Sequence, residues 1–143
     1  MSDPQANKEA FRRLVDRAWN QGDHSVTNEL IAKDYVGHAN FRRIRGPKGM
    51  TIWVKNYREA LSGLQFAIED LLADGDKVVA RMSFQGTHTG DFMYMRPTNR
   101  KVTASGVVIM RFEASHIEEG WFEWNYLGLL QQMGATWKRT EQA

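Results

Sequence analysis

The chain has 143 residues, of which 42% are hydrophobic and 25% are charged, and its formal net charge is +2. These values are typical of one globular domain with a substantial core, and the charge gives no argument for nucleic-acid binding. No apolar run is long enough to span a membrane, and the absence of cysteine excludes disulfides and a thiol nucleophile. Because the first residues lack a secretory apolar stretch, we expect a cytoplasmic protein without nucleic-acid or membrane partners.

Helical spacing of apolar residues dominates the first third of the chain. The segments concerned are Lys8–Asn20, Ser25–Ile31, and a stretch that Pro47 opens and Gly63 closes. Asp23 or Ser25 is expected to cap the second helix. A cluster of basic residues lies around Pro47. It is interpreted as a solvated loop, with binding of an anionic ligand as the alternative. Its members are Arg42, Arg43, Arg45 and Lys48.

After Gly63 the period of the pattern changes from a helical one to two. The predicted strands are Leu64–Ala73, Lys77–Thr89, Lys101–Phe112 and His116–Tyr126. Asp74-Gly75-Asp76 has the composition of a hairpin turn, so sequential antiparallel pairing is expected. Three helices before such strands predict an α+β fold, in which a curved antiparallel sheet and the helices enclose a pocket. We expect a single domain over 1–143, with flexible tails at 1–6 and 135–143.

The last predicted strand carries acids beside large aromatic rings. Glu119, Trp121, Glu123 and Asn125 share one face, because residues two apart in a strand point the same way. If that face lines the pocket, Glu123 is the best carboxylate for proton transfer, with a pKa raised by burial beside Trp121. The alternative is a solvated face on which the glutamates only keep the protein soluble.

Two histidines and six aromatic residues are further candidates for the site. His38 follows the second helix and His88 ends a strand, so either could transfer a proton or bind a carbonyl oxygen, although a structural role is the alternative. The rings are expected to pack in the core or to stack on a planar ligand. They are Trp19, Tyr35, Trp53, Tyr57, Phe84 and Trp121. No metal-ligand spacing, P-loop or nucleophile motif is present, so no metal and no cofactor is expected.

An ordered set of short segments resembles the SnoaL-like polyketide cyclase family from about Asn7 to Gly134. The segments are WNQGD at Trp19–Asp23, DYVGH at Asp34–His38, GDKVVARMSFQGTHTGDFM at Gly75–Met93, PTNRKV at Pro97–Val102, RFEASHIEEGW at Arg111–Trp121 and LGLLQQMG at Leu127–Gly134. The resemblance implies the cone-shaped fold of ketosteroid isomerase and nuclear transport factor 2. It also implies a cofactor-free aldol cyclase that acts on a small apolar or aromatic carbonyl compound and forms dimers.

Four positions can be matched to the family residue by residue. His38 and His88 match family histidines, whereas Gly120 stands where the family often has histidine. Asn125 replaces the family's acid/base aspartate, and it could donate a hydrogen bond to an enolate oxygen but could not exchange protons. We therefore expect Glu123 or a histidine to move the proton. The alternatives are a binding protein without chemistry, or another reaction such as isomerisation, dehydration or hydrolysis.

Overall fold

Short helices and strands alternate early in the chain, and four long strands complete the sheet. The structure is a computed structural model that describes residues 2–136 and 138–140. The helices are α1 (Pro4–Arg13), which continues into a π-helical segment (Leu14–Asn20), α2 (His24–Leu30), α3 (Gly46–Ala60) and α4 (Tyr126–Gln132). The strands are β1 (Ile31–Ala39), β2 (Arg42–Arg45), β3 (Leu61–Asp74), β4 (Lys77–His88), β5 (Lys101–Glu113) and β6 (His116–Trp124).

The predicted helices of the first third are present. Asp23 caps α2 by accepting a hydrogen bond from the backbone N–H of Ser25. Pro47 lies in the first turn of α3, where its missing N–H costs nothing. α3 ends at Ala60, three residues before the predicted end at Gly63, because Leu61 already pairs with His88 across the sheet.

Strands β1 and β2 correct the sequence prediction, which placed a helix–loop transition and a solvated loop there. β1 pairs with β2 in antiparallel fashion and with β6 in parallel fashion. The sheet is therefore mixed rather than purely antiparallel, with the strand order β2-β1-β6-β5-β4-β3. β1 is stabilised by a partner some eighty positions away, so its own short pattern carries little signal.

The four later strands confirm the period-two pattern. Gly75 supplies the positive φ of +58° in the turn between β3 and β4, a conformation that glycine adopts without steric cost. β6 ends at Trp124, so Tyr126 belongs to α4 and not to the last strand as predicted. The result is an α+β fold with a curved, open six-stranded sheet.

The core lies between the concave face of the sheet and the helices. Alternate residues of β4 point into it, and its aromatic members contact one another largely edge to face. The residues of β4 concerned are Val78, Ala80, Met82, Phe84 and His88. No helix in the described part of the chain is both long and apolar enough to cross a membrane. Residue 1 and residues 137 and 141–143, within the predicted tails 1–6 and 135–143, lie outside the described residues.

Candidate active site

The space between helices and sheet is almost filled by side chains. What remains, the inner cavity, has a volume of about 20 Å³, which is room for about one water molecule. Its lining is apolar apart from the polar tips of its aromatic rings. The lining residues are Phe11, Leu14, Val15, Trp19, Trp53, Tyr57, Phe66, Met82, Val108, Met110, Phe122 and Trp124. The inner cavity therefore has the chemistry of an apolar ligand site but not its size.

A much larger depression, the mouth cleft, opens where α3, the turn after β1, the segment 90–94 and the start of α4 meet. Its volume is about 970 Å³, within the range of small-molecule sites. Its lining residues are Ala39, Asn40, Phe41, Arg42, Trp53, Asn56, Tyr57, Glu59, Ala60, Gly90, Asp91, Phe92, Met93, Tyr94, Tyr126 and Leu130. Trp53 and Tyr57 line both spaces, so these two rings separate the mouth cleft from the inner cavity.

A pair of tyrosine hydroxyls lies at this boundary. The hydroxyls of Tyr57 and Tyr126 form a hydrogen bond, and both side chains are buried. Burial raises the pKa of Tyr57 well above its ordinary value, and burial likewise raises the pKa of Tyr126. Each hydroxyl has one proton and only one of the two protons is used within the pair, so one O–H remains to donate to a ligand.

The charged groups of the mouth cleft lie at its rim. Glu59 and Asp91 are the carboxylates that line it within the described residues, and Arg42 is the corresponding cation. Gly90 holds Asp91 close to α3, because a Cβ at Gly90 would lie only 2.6 Å from the backbone oxygen of Glu59. The sequence pattern did not indicate Asp91, which lies in an irregular segment, and Tyr126 was assigned to the wrong element, whereas Arg42 belongs to the basic cluster considered for an anionic ligand. The available signal was the aspartate directly after the GTHTG segment.

Glu123 and Asn125 lie outside both spaces, which corrects the prediction that they act in the pocket. The face of β6 that lines the inner cavity carries Phe122 and Trp124, and Glu123 is exposed on the opposite side. The alternation was predicted correctly, but the two large rings bury more apolar area when they point inward. Asn125 caps α4, with its Oδ1 accepting a hydrogen bond of 2.9 Å from the backbone N–H of Gly128.

His38 and Trp121 belong to the convex outer face of the sheet, which is a second correction. The Nε2 atom of His38 lies 2.7 Å from Oε2 of Glu119, and its ring stacks on Trp121 with the ring centroids 5.7 Å apart. The hydrogen bond from His38, with a smaller effect of the nearby charge of Arg111, holds the pKa of Glu119 below its ordinary value. Neither His38 nor Trp121 lines the inner cavity or the mouth cleft.

His88 is fully buried on the concave side of β4 but lines neither space. Its Nδ1 atom lies 3.1 Å from the hydroxyl oxygen of Thr98, which orients the ring. Its Nε2 atom has no hydrogen-bond partner among the described residues. A catalytic role for His88 stays a prediction.

The remaining aromatic candidates divide into two groups. Trp19, Trp53 and Tyr57 line the inner cavity, and contact of these rings with a ligand stays a prediction. Phe84 lies behind them, with its ring 5.9 Å from that of Tyr57. Tyr35 is buried beside the inner cavity without lining it.

Comparison with known proteins decides the family. The model of the SnoaL-like polyketide cyclase family matches residues 9–133, which is most of the chain. The chain belongs to the SnoaL-like polyketide cyclase family. Among its relatives in that family, the aklanonic acid methyl ester cyclase AcmA of Streptomyces galilaeus is 30% identical over 92% of this chain and 93% of its own length.

Two further proteins are similar to this SnoaL-like chain over most of its length. The aklanonic acid methyl ester cyclase DauD of Streptomyces sp. strain C5 is 26% identical over 91% of this chain and 83% of its own. The structure of TsrD from Streptomyces laurentii superposes with a TM-score of 0.86 at 26% identity, covering 95% of this chain and 100% of that one. The SnoaL-like fold therefore extends over nearly the whole chain.

Proposed function

We propose that this SnoaL-like protein closes a ring of a polyketide ester by an intramolecular aldol reaction in the mouth cleft. A base removes a proton from the carbon beside a carbonyl group, and the carbanion attacks a ketone carbon of the same molecule. The resulting alkoxide takes up a proton, so no net proton is consumed. Family membership and the name of AcmA support an ester of the aklanonic acid methyl ester class as the substrate.

The Tyr57–Tyr126 hydroxyl pair is the observation that carries this proposal. Its spare O–H is a fixed donor beside an apolar wall, where a hydrogen bond to a developing enolate oxygen is stronger than in water. Acceptance of a hydrogen bond from the other hydroxyl strengthens this donor further. Because the pKa values of both tyrosines are raised, the pair stays protonated at neutral pH and acts as a donor, not as the base.

The base is then one of the two rim carboxylates of the mouth cleft. Glu59 follows Tyr57 on α3 by two positions, and Asp91 precedes Phe92, whose ring lies 5.3 Å from the Tyr57 ring. Both carboxylates therefore border the volume in which a ligand that contacts the hydroxyl pair would lie. A positioned carboxylate of this kind contributes a factor of about 10² to 10⁴ to a proton transfer.

Neutralising each carboxylate in turn tests the mechanism. The two variants are Asp91→Asn and Glu59→Gln. The one in which the base has been replaced should lose about a hundredfold or more in kcat, with little change in KM. Turnover is followed by chromatography of aklanonic acid methyl ester and its product. The matched control is Glu113→Gln, an exposed carboxylate at the end of β5 that should leave kcat unchanged.

Two outcomes would contradict this mechanism. Full activity in both cleft variants would remove the rim carboxylates from the reaction. Loss of activity in Glu123→Gln would support the prediction from the sequence that Glu123 moves the proton. It would also exclude the mouth cleft as the reaction site.

A binding protein without chemistry is the second candidate function. It is favoured by the mouth cleft, which is ligand-sized, whose carboxylates lie at the rim, and whose inner wall is formed by the rings of Trp53 and Tyr57. Saturable binding of aklanonic acid methyl ester without conversion, together with unchanged affinity in Asp91→Asn and Glu59→Gln, would establish it in place of the cyclase.

We further propose that two copies associate through the outer face, defined by Val36, His38, Val107, Ile109, Glu119 and Trp121. Its apolar members are partly accessible, with Val107 40% exposed, and its centre carries an aromatic ring beside an ion-pair network. Aromatic residues and arginine are enriched in protein interfaces.

The cytoplasmic location and the lack of a nucleic-acid partner stay predictions.

Analytical ultracentrifugation tests the dimer. The wild-type protein should sediment as a dimer, and Trp121→Glu should sediment as a monomer because it places a charge at the centre of the interface. A wild-type monomer at concentrations of tens of micromolar would exclude this interface. A dimer that persists in Trp121→Glu would place the contact elsewhere.

A further inference from the structure

The hydroxyl of Tyr35 is a further polar group buried on the concave side of the sheet. Tyr35 is 1% exposed, and its hydroxyl has no hydrogen-bond partner among the described residues. A buried donor without a partner keeps its full desolvation penalty, so it calls for an explanation.

Two glycines make room for this hydroxyl. Gly37 and Gly120 face each other in the register of β1 and β6. A Cβ at Gly37 would lie 2.7 Å from Tyr35 Oη, and a Cβ at Gly120 would lie 2.6 Å from the same atom. No other residue type fits at either position while the hydroxyl stays where it is, so the site is shaped around this oxygen.

The hydroxyl lies near the walls of both spaces but lines neither of them. The inward-pointing residues of β1 are Tyr35, Gly37 and Ala39, and Ala39 lines the mouth cleft. The Tyr35 side chain leans along the strand over Gly37, toward the mouth. Ala39 lies two residues beyond Gly37 on the same face of the strand, about 6.5–7 Å further along. On its other side, the space beside Gly120 is bounded by Met110 and Phe122, which line the inner cavity.

We propose that the Tyr35 hydroxyl donates a hydrogen bond to a second oxygen of the substrate, a ketone or ester carbonyl that passes over Gly37 from the mouth cleft. This inference rests on the proposed function and adds a second anchor point to it. The Tyr57–Tyr126 pair holds the oxygen at which charge develops. Tyr35 holds an oxygen deeper in the site and so selects substrates that carry a carbonyl at that spacing.

A pair of rigid probes separates binding from turnover. 9-Fluorenone and fluorene have the same fused-ring shape, and only fluorenone has a carbonyl oxygen. Wild-type protein should bind fluorenone more tightly than fluorene, and Tyr35→Phe should lose about five- to tenfold in affinity for fluorenone with no change for fluorene. The C=O stretching frequency of bound fluorenone should rise in Tyr35→Phe, because a hydrogen bond to the carbonyl is lost.

The stability of the same variants separates a ligand donor from a structural hydroxyl. Tyr35→Phe removes an unpartnered hydroxyl, so its melting temperature should equal or exceed that of the wild type. Tyr57→Phe is the matched control, because its hydroxyl has a partner and its loss should lower the melting temperature.

The proposal fails if the wild type shows no preference for fluorenone. It also fails if Tyr35→Phe keeps that preference, or if it melts lower with the C=O frequency unchanged, since the hydroxyl would then have a structural partner. If the probe results hold while aklanonic acid methyl ester is not converted, the Tyr35 anchor stands and only the proposed cyclase activity is lost.

Discussion

The side chain of Asn125 has a structural task on the surface. Its Oδ1 atom accepts the backbone N–H of Gly128, one of the donors that the first turn of α4 leaves without a helical partner. Aspartate at this position would accept the same hydrogen bond and would also favour the positive end of the helix dipole. An exchange between aspartate and asparagine here therefore keeps the cap, whichever of the two residues a relative carries.

Substitution of Asn125 tests this assignment. Asn125→Ala should lower the free energy of unfolding by about 1 kcal/mol, because the N–H of Gly128 loses its acceptor. Asn125→Asp should leave stability within a few tenths of a kcal/mol and should not change turnover of aklanonic acid methyl ester. Denaturant titration measures the first effect. A gain of cyclase activity in Asn125→Asp would show that position 125 reaches the substrate after all.

The sequence predicted which residues of β6 share a face but not which face is inside. Period-two alternation assigns Glu123 to one side and Phe122 and Trp124 to the other, and the structure agrees. Asn125, predicted on the side of Glu123, lies beyond the end of β6 and caps α4. Both faces carry large rings, so local pattern alone could not choose between them. The choice depends on packing against α3, where the Trp53 and Phe122 rings lie 4.7 Å apart, and such contacts between distant segments leave no trace in a local pattern.

The segment after β4 forms one wall of the mouth cleft because it packs closely against the end of α3. The backbone N–H groups of Thr89 and Gly90 both donate to the carbonyl oxygen of Ala60. Gly90 approaches the α3 backbone so closely that a methyl group would not fit. The positions of Glu59 and Asp91 relative to each other therefore depend on how closely this segment packs against the end of α3.

Gly90→Ala should loosen that wall. The added Cβ would lie 2.6 Å from the Glu59 backbone oxygen, so the segment must move, at a cost of about 1–3 kcal/mol in the free energy of unfolding. Affinity for fluorenone and for fluorene should fall together, because the cleft changes shape. Both effects are measured by thermal unfolding and by probe titration.

Gly49→Ala is the matched control within α3. Its Cβ would meet nothing closer than 3.5 Å, and alanine in a helix is more favourable than glycine by up to about 1 kcal/mol. The two variants should therefore shift stability in opposite directions. A destabilised Gly49→Ala would show that α3 itself tolerates no added methyl group. The effect of Gly90→Ala could then not be attributed to the close approach of Gly90 to α3.

Elements with a strong local pattern were predictable, and elements defined by their partners were not. The amphipathic α3 and the hairpin of β3 and β4 carry their own signals in apolar spacing and turn composition. β2 has four residues, three of them arginine, and only Ile44 is buried. It is a strand because β1 supplies its hydrogen bonds, which explains why the basic cluster was read as a solvated loop.

The two volumes support the proposal that the reaction takes place at the open end of the molecule. The interior is packed with aromatic rings and has space for about one water molecule, whereas the mouth cleft is ligand-sized. The sequence predicted a pocket between helices and sheet, and Trp53 and Tyr57 do lie there. It could not predict how fully the rings fill that gap, since packing density is decided by rotamers and not by composition.

The parallel pairing of β1 with β6 has a consequence for the order in which the molecule forms. His38 and Glu119 are 81 positions apart, yet they belong to neighbouring strands. During synthesis from the N-terminus, β1 can pair only with the four residues of β2 until the segment His116–Trp124 has been made. Closing so long a loop is entropically expensive, so we expect slow folding with one backbone edge of β1 unpaired and open to aggregation in the meantime. A chain that stops before His116 would leave that edge permanently unpaired.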